Sequence, residues 1–160
     1  MTQQSLILRD FRPGDETAFR HLNEAWITRL FKLEAADLAV FDDPKTYILD
    51  KGGRLFFAEL VGEAVGCCGL LPIGPGEYEV VKMAVSERAQ GKGIGRAILQ
   101  HTIDQAFAMG ATRLYLESNR VLTPALHLYE ALGFQHLPAE RVTPSPYTRA
   151  NVFMELYPPA

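Results

Sequence analysis

The segment Val80–Gly95 reads Val-Val-Lys-Met-Ala-Val-Ser-Glu-Arg-Ala-Gln-Gly-Lys-Gly-Ile-Gly and changes character midway. An apolar run ends near Val85, a glycine-rich turn follows, and apolar residues at helical spacing begin near Gly93. Glycines let the backbone approach a ligand closely, and a helix N-terminus exposes free N–H groups and a partial positive charge. The segment therefore predicts a strand, an anion-binding loop suited to a pyrophosphate, and a helix.

Two kinds of phosphate loop fit this turn poorly. A Walker A loop requires Ser or Thr directly after Gly-Lys, but Lys92 is followed by Gly93. A dinucleotide-binding fingerprint requires a glycine where Arg96 stands. Glu117, after the next predicted strand, supplies the acid that such a fingerprint uses, so a nucleotide-binding domain stays open as an alternative.

A third pattern, the coenzyme A loop Gln/Arg-x-x-Gly-x-Gly/Ala, is matched in full by Gln90, Gly93 and Gly95. The alternative without a ligand is a glycine-rich turn that only begins a helix. This alternative stays open because such turns are common. A second motif, Ala125–Phe134, reads Ala-Leu-His-Leu-Tyr-Glu-Ala-Leu-Gly-Phe and follows one helix and one strand later. In this order the two motifs resemble those of the GNAT superfamily of acetyl-CoA-dependent N-acetyltransferases.

The whole chain has the element order β, α, α, three strands, then α, β, α, β, β. Asp15 suits the N-cap of an amphipathic helix Glu16–Phe31, and Gly62–Glu63 predicts a hairpin. The predicted strands are Leu6–Phe11, Arg54–Val61, Ala64–Ile73, Glu77–Val85, Arg113–Glu117, Gln135–Pro138 and Val152–Tyr157. This order is typical of an α+β fold. The resemblance implies a mostly antiparallel central sheet of about seven strands, flanked by helices and splayed at the cofactor site, in a single domain over residues 1–160.

Composition fits a soluble globular protein: 160 residues, 48% hydrophobic and 22% charged, with a net charge of −3. This charge disfavours nucleic acid and anionic membranes as partners and favours a cationic amine substrate. The adjacent Cys67 and Cys68 point to opposite faces of a strand and do not pair with each other, which indicates buried thiols in a reducing compartment. Met1–Ser5 lacks the apolar core of a signal peptide, and no apolar run reaches the roughly 20 residues of a membrane span. We therefore expect a cytoplasmic protein.

The resemblance implies that acetyl-CoA is the cosubstrate and an amine the acceptor. It assigns the pantetheine arm to free backbone groups of Met83, Ala84 and Val85, which would hydrogen-bond it like an added strand. It assigns the pyrophosphate to the loop residues Gln90, Gly91, Lys92, Gly93, Ile94, Gly95 and Arg96.

The resemblance also implies two catalytic residues. Tyr129 matches the family tyrosine that donates a proton to the leaving thiolate; its alternative role is packing in the core. Glu79, on the strand before the loop, is the candidate base, since an alkylamine with a pKa near ~10 is protonated at neutral pH. The alternatives for Glu79 are a solvent-facing strand end, or a reaction that uses water chains or no dedicated base.

One departure from the family pattern concerns the cofactor. The family often has an asparagine seven residues before its tyrosine, where Leu122 stands here, so Asn119 is the candidate in a loop about three residues longer. On the acceptor side, Tyr147 is a candidate contact. Glu24, Glu34 and Asp37 either meet a cationic acceptor or lie on a solvated face.

Three functions remain after this reasoning. The first is acetyl transfer to a primary amine, small or part of a protein, by direct attack. The second is a non-catalytic acyl-CoA-binding module, and the third is the nucleotide-binding domain. The scattered histidines predict no metal site. The acceptor's identity stays open, and a homodimer is compatible with the family.

Overall fold

The computed structural model describes residues 5–160, so the prediction for the N-terminal segment falls largely outside the described part. The strands are β1 (Leu6–Asp10), β2 (Arg54–Leu60), β3 (Glu63–Gly74), β4 (Glu77–Val85), β5 (Arg113–Ser118), β6 (Gln135–His136) and β7 (Val152–Leu156). The α-helices are α1 (Glu16–Leu30), α2 (Ala35–Asp42), α3 (Pro44–Tyr47), α4 (Ile94–Ala108) and α5 (Thr123–Ala131).

The strands form one seven-stranded sheet in the order β1-β2-β3-β4-β5-β7-β6. Every neighbouring pair is antiparallel except β4 and β5, which are parallel and joined through α4. The predicted α+β fold, with a mostly antiparallel sheet flanked by helices, is confirmed. That residues 1–160 form a single domain stays a prediction.

Each face of the sheet carries its own apolar core. Phe56, Cys68, Ile98 and Leu99 are among the buried residues on the side of α4 and α5. Phe19, Ile27, Phe41, Phe57 and Cys67 are among those on the side of α1 and α2. The two cysteines are therefore buried free thiols on opposite faces, as the alternation of a strand requires.

The N-terminus of α1 differs in detail from the prediction. Asp15 stands at the N-cap position, but its side chain makes no bond to a helix N–H. Its carboxylate accepts instead from the Arg12 N–H at 2.6 Å and from the Arg9 guanidinium at 2.7 and 2.9 Å. Arg9 also donates to Glu59 of β2 at 2.7 Å, so this ion cluster ties α1 to the edge of the sheet.

Within residues 5–160, none of the helices combines the length and apolar character that crossing a membrane requires.

Candidate active site

A gap opens between β4 and β5 in the middle of the sheet. The two strands pair from Glu77–Arg113 to Val80–Leu116, and the ladder ends there. β4 nevertheless continues to Val85, while the last residues of β5 pair with β7 alone. The C-terminal half of β4 therefore presents backbone groups that have no strand partner on this side.

A β-bulge bends β4 at the start of this gap. Between the pairs Cys67–Ala84 and Gly69–Val81, β3 contributes one residue and β4 contributes two. Lys82 carries the distortion with a positive φ of 55°. The Cys67 thiol donates to the Lys82 carbonyl at 3.3 Å, so this carbonyl keeps a partner. A bulge adds twist and ends regular pairing, which explains why β4 turns away from β5.

The gap is the floor of a cavity of about 560 Å³. Most of the sequence-predicted site residues line it: Glu79, Met83, Ala84, Val85, Gln90, Gly91, Gly93, Ile94, Gly95, Asn119 and Tyr129. Lys92 and Arg96 are absent from the lining. Lys92 borders a second cavity of about 370 Å³ at the β2–β3 hairpin, beside the exposed Arg88–Glu63 ion pair.

The loop between β4 and α4 has the geometry of an anion site. Gly91 and Gly93 have φ values of 78° and 77°, which residues with a Cβ adopt only under strain. Gly93 is the N-cap of α4, and no side chain caps the helix there. The first N–H groups of α4 thus stay available for a ligand, in the field of a 15-residue helix.

Tyr129 of α5 lies on the far wall of the cavity. Only 8% of its surface is exposed, and its ring packs edge-on against Phe134 with centroids 6.0 Å apart. Burial raises the pKa of the Tyr129 phenol, although the neighbouring Ser118 hydroxyl opposes the rise. The phenol therefore carries its proton at neutral pH and can act as a donor into the cavity.

Glu79 of β4 is a half-buried carboxyl group that lines the same cavity. Burial, and then repulsion from Glu117 of β5, raise its pKa to about 7, against an opposing effect of Lys82. Glu117 itself accepts hydrogen bonds from the Tyr115 and Ser145 hydroxyls. Glu79 can thus exchange a proton near neutral pH, as a general base requires.

Asp37 is not on a solvated face, so that part of the sequence interpretation is wrong. Its carboxylate has no exposure and binds Lys82 Nζ at 2.7 Å and Arg149 Nη2 at 2.6 Å. Burial opposes ionisation of Asp37, but these hydrogen bonds outweigh it and lower the pKa to about 2. Glu24 pairs with Arg20 at 2.6 Å on the surface of α1.

Sequence reasoning missed Lys82 and Arg149, which both line the cavity beside Tyr147. No local pattern marks them, because their common partner Asp37 lies 45 and 112 residues away in the chain. Lys82 stands in the predicted strand, where its charge was the one available signal.

Asn119 lines the cavity, but its side-chain amide is already engaged. Its Nδ2 donates to the Arg149 carbonyl at 2.6 Å, and its Oδ1 accepts from the Val121 N–H at 2.9 Å. The first bond holds the loop after β5 against the segment before β7, and the second lies within that loop. A direct contact of Asn119 with a cofactor stays a prediction.

The residues present fit an acyl-coenzyme A. Unpaired β4 backbone can bind an extended arm, the uncapped end of α4 can bind a pyrophosphate, and Tyr129 and Glu79 can supply an acid and a base. Among residues 5–160 the structure contains no group of three or more metal-binding side chains. Independence from metals stays a prediction.

Comparison with known proteins agrees with this geometry. A family model described as Acetyltransferase (GNAT) family matches residues 14–134. The N-alpha-acetyltransferase RimI of Mycobacterium tuberculosis is 40% identical over 129 residues, which cover 75% of this chain and 79% of RimI. N-acetyltransferase 8B of Rattus norvegicus is 30% identical over 117 residues, or 70% of this chain but only 52% of the rat protein. The chain thus spans about half the length of that relative.

A solved structure shares the fold over nearly the whole chain. It is an acetyltransferase of the GNAT family from Staphylococcus aureus, with a TM-score of 0.86 over 96% of this chain and 99% of the other. At 16% sequence identity this likeness concerns the fold alone.

Proposed function

The chain belongs to the GNAT family of acetyltransferases, and from that premise we propose that it transfers an acetyl group from acetyl-CoA to a primary amine. One observation carries the proposal. The gap beyond Val80, the uncapped start of α4, the Tyr129 phenol and the Glu79 carboxyl group all border one cavity. A strand-like binding surface, an anion site, an acid and a base are four features that suit this reaction.

The coenzyme would be held by main-chain groups. The β4 backbone at Met83, Ala84 and Val85 would bind its extended arm, in the manner of an added strand. The loop from Gln90 to Gly95 would hold the pyrophosphate with its N–H groups. Lys92 and Arg96 would contribute positive charge from outside the cavity rather than by direct contact within it.

Two side chains would move the protons. Bound acetyl-CoA supplies a thioester as the acetyl donor. Glu79, with a pKa of about 7, takes a proton from the acceptor ammonium or its attacking amine. Tyr129, whose pKa is raised by burial, stays protonated and would donate a hydrogen bond to the leaving sulfur. The thiol has an ordinary pKa near ~8.5, below that of the phenol, so the sulfur can leave as a thiolate, and any proton that Tyr129 gives up is restored by water.

For the acceptor we favour an α-amino group. RimI of Mycobacterium tuberculosis, similar to this chain over three quarters of its length, is by name an N-alpha-acetyltransferase. The side of the cavity lined by Trp26, Phe31, Tyr147 and Arg149, which we call the acceptor side, combines aromatic rings with a guanidinium group. A cytoplasmic location and a homodimer stay predictions.

The decisive experiment measures thiol release from acetyl-CoA across an amine panel. The panel contains short peptides with free N-termini, amino acids, a polyamine and an aminoglycoside, each with a no-acceptor control. Release that depends on an amine supports the transferase. If acetyl-CoA binds tightly but no amine accelerates thiol release, the non-catalytic acyl-CoA-binding module is the better description.

A second measurement tests the nucleotide-binding alternative. Ligands that bind only the folded state raise the melting temperature. We expect acetyl-CoA and coenzyme A to raise it, with NAD and ATP having little effect. Stabilisation by NAD or ATP alone would overturn the coenzyme A assignment.

A further inference from the structure

One buried carboxylate joins three separate parts of the chain. Asp37, in the first turn of α2, binds Lys82 Nζ at 2.7 Å and the Arg149 guanidinium at 2.6 and 2.8 Å. It also accepts the Glu34 N–H at 2.9 Å, which completes the capping box of α2. Helix α2, the β4 bulge and the segment before β7 are therefore held by a single side chain.

The two cations in turn hold Tyr147. Lys82 Nζ lies 4.4 Å from the centre of the Tyr147 ring and 3.0 Å from its hydroxyl. Arg149 Cζ lies 4.7 Å from the same ring centre. Tyr147, Lys82 and Arg149 line the cavity, whereas Asp37 does not. Lys82 and Arg149, which fix Tyr147, thus both depend on the Asp37 carboxylate, which lies outside the cavity lining.

Stability alone is a weak explanation for such a cluster. The side chains of Lys82 and Arg149 are 8% and 12% exposed, and that of Asp37 is fully buried. Charges this deep lose most of their hydration, so a buried ion pair often stabilises a fold no more than apolar packing of the same volume does. What the cluster does provide is geometry: two fixed cations on an aromatic ring at the cavity wall.

We propose that Asp37 is a positioning residue of the acceptor side, which fixes Lys82 and Arg149 and through them sets the place of Tyr147. This inference rests on the proposed function, since it assigns that side of the cavity to the amine. Lys82 is also the bulge residue, so the same carboxylate helps to hold β4 in its bent course. Glu34 supports the arrangement by binding Arg149 at 3.3 Å and the Thr148 N–H at 3.0 Å.

The test compares Asp37→Asn with Asp15→Asn. Asp15 is a close match, because it too stands at a helix start, accepts one backbone N–H and binds an arginine through both oxygens. Its partner Arg9 has 11% side-chain exposure and lies over the Phe57 ring, as Arg149 with 12% lies over Tyr147. The Asp15 cluster borders neither cavity.

We expect Asp37→Asn to raise the KM for the acceptor at least about 10-fold, because small displacements of positioning groups have large kinetic effects. The Kd for coenzyme A should change less than the acceptor KM, because the α4 loop is untouched and the β4 bulge keeps its bond from Cys67 to the Lys82 carbonyl. Asp15→Asn should leave both constants unchanged, whatever it does to stability. Equal effects of the two variants on KM, or a loss confined to coenzyme A affinity, would overturn the inference.

A second measurement does not depend on turnover. Trp26 is the single tryptophan of the chain, lines the cavity and lies 5.9 Å from Arg149 Cζ. We expect acrylamide to quench Trp26 fluorescence more strongly in Asp37→Asn than in wild type or Asp15→Asn. Unchanged quenching would contradict the positioning role even if no acceptor is found, and absence of transfer in wild type would contradict only the proposed function.

If the Asp37→Asn variant does not fold, the Lys82→Met variant is tested in its place. This variant keeps the long stem and the Asp37–Arg149 pair but frees the Tyr147 hydroxyl. The same rise in acceptor KM is expected, whereas Trp26 quenching should stay near wild type because Arg149 keeps its partner, and a wild-type KM would overturn the inference.

Discussion

Val80 and Leu116 form the last residue pair of the parallel β4–β5 ladder, although β4 continues to Val85. A parallel pair in the centre of a sheet would ordinarily extend to the strand ends, since unpaired backbone groups are costly when buried. Here the unpaired half of β4 faces a cavity instead. A ligand with its own donors and acceptors can therefore take the place that the rest of β5 leaves open.

Replacing Gly95 should separate the stability of the free protein from its affinity for coenzyme A. Gly95 lies in the first turn of α4, and an added Cβ would meet only Leu128 and Val85, both at 3.7 Å. Gly95→Ala should therefore stabilise the free protein by about 0.5–1 kcal/mol, because alanine favours the helix. Gly95 lines the cavity at the start of α4, so the same methyl group should hinder the close approach of a pyrophosphate, and coenzyme A affinity should fall at least about 10-fold.

Thermal unfolding without ligand and calorimetric titration with coenzyme A measure the two effects of Gly95→Ala. Gly91→Ala is the control, because its φ of 78° makes any Cβ unfavourable and should lower stability. Wild-type affinity in Gly95→Ala would exclude the start of α4 as the pyrophosphate site.

Val61 is the least favourable residue of the β2–β3 turn. Leu60 and Glu63 pair directly, so Val61 and Gly62 form a two-residue loop with φ values of 51° and 73°. Two positive φ values define a type I′ turn, which favours Asn-Gly, whereas a β-branched residue is strained there. Since Val61 is 79% exposed, Val61→Asn loses no packing and should stabilise the fold by about 1 kcal/mol.

Urea unfolding measures the gain from Val61→Asn. Val142 is a suitable control, because it is also exposed but has an ordinary φ of −77°. Val142→Asn should give no gain. An equal gain at both positions would show that surface polarity, rather than turn geometry, is responsible.

The bounds of strand β4 were predicted correctly, but the β-bulge at Lys82 was not predicted. An apolar run after Gly74–Pro75–Gly76 is a local pattern, and local patterns are visible in one sequence. At the bulge, the Lys82 carbonyl accepts from Cys67 on β3 and its ammonium group binds Asp37 on α2, and both partners are distant in the chain. Lysine has no preference for positive φ, so nothing near position 82 indicates the bend.

The two halves of the site differ in the same way. The α4 loop and Tyr129 lie in short continuous motifs, and the structure brings them to one cavity. The wall around Tyr147 depends on Asp37 and Arg149, separated by 112 residues. Their contact reflects the packing of α2 against the segment before β7, which no periodicity encodes.

Loss of the Tyr129 hydroxyl should affect turnover but not binding. Tyr129→Phe keeps the ring that packs on Phe134, so the fold and the coenzyme A site should be retained. Positioned general acids typically contribute 10²–10⁴-fold, and we expect kcat to fall by about 10²-fold with the Kd for acetyl-CoA within about 2-fold. Tyr157→Phe, at an exposed position, is the control. Unchanged kcat in Tyr129→Phe would remove the acid role.

The elevated pKa of Glu79 should also appear in stability. Its pKa is about 7 in the folded protein against 4.5 without the fold, so the folded state binds more protons between these values. The contribution of Glu79 to the free energy of unfolding is fully present below pH ~4.5, and it is lost as the pH rises through ~7. Glu79→Gln lacks this loss and should exceed wild type at pH 8 by on the order of 1–3 kcal/mol. Urea unfolding at pH 5 and pH 8 measures it, and a pH-independent difference would contradict the pKa.

The same carboxyl group should set the pH dependence of catalysis. A base with a pKa of about 7 is active only when deprotonated, so kcat/KM should rise with pH through ~7 and level off above it. In Glu79→Gln this limb should vanish and activity at pH 8 should fall about 10²-fold. The acceptor's own ionisation is common to all variants, so the difference between their profiles isolates Glu79.

A second variant, Glu117→Gln, tests the cause of the raised pKa. Burial is the main cause of the raised Glu79 pKa, and repulsion from Glu117 adds to it, so Glu117→Gln should move the rising limb of the profile to lower pH. A limb that stays in place in Glu79→Gln would assign the ionisation to another group and leave Glu79 without a catalytic role.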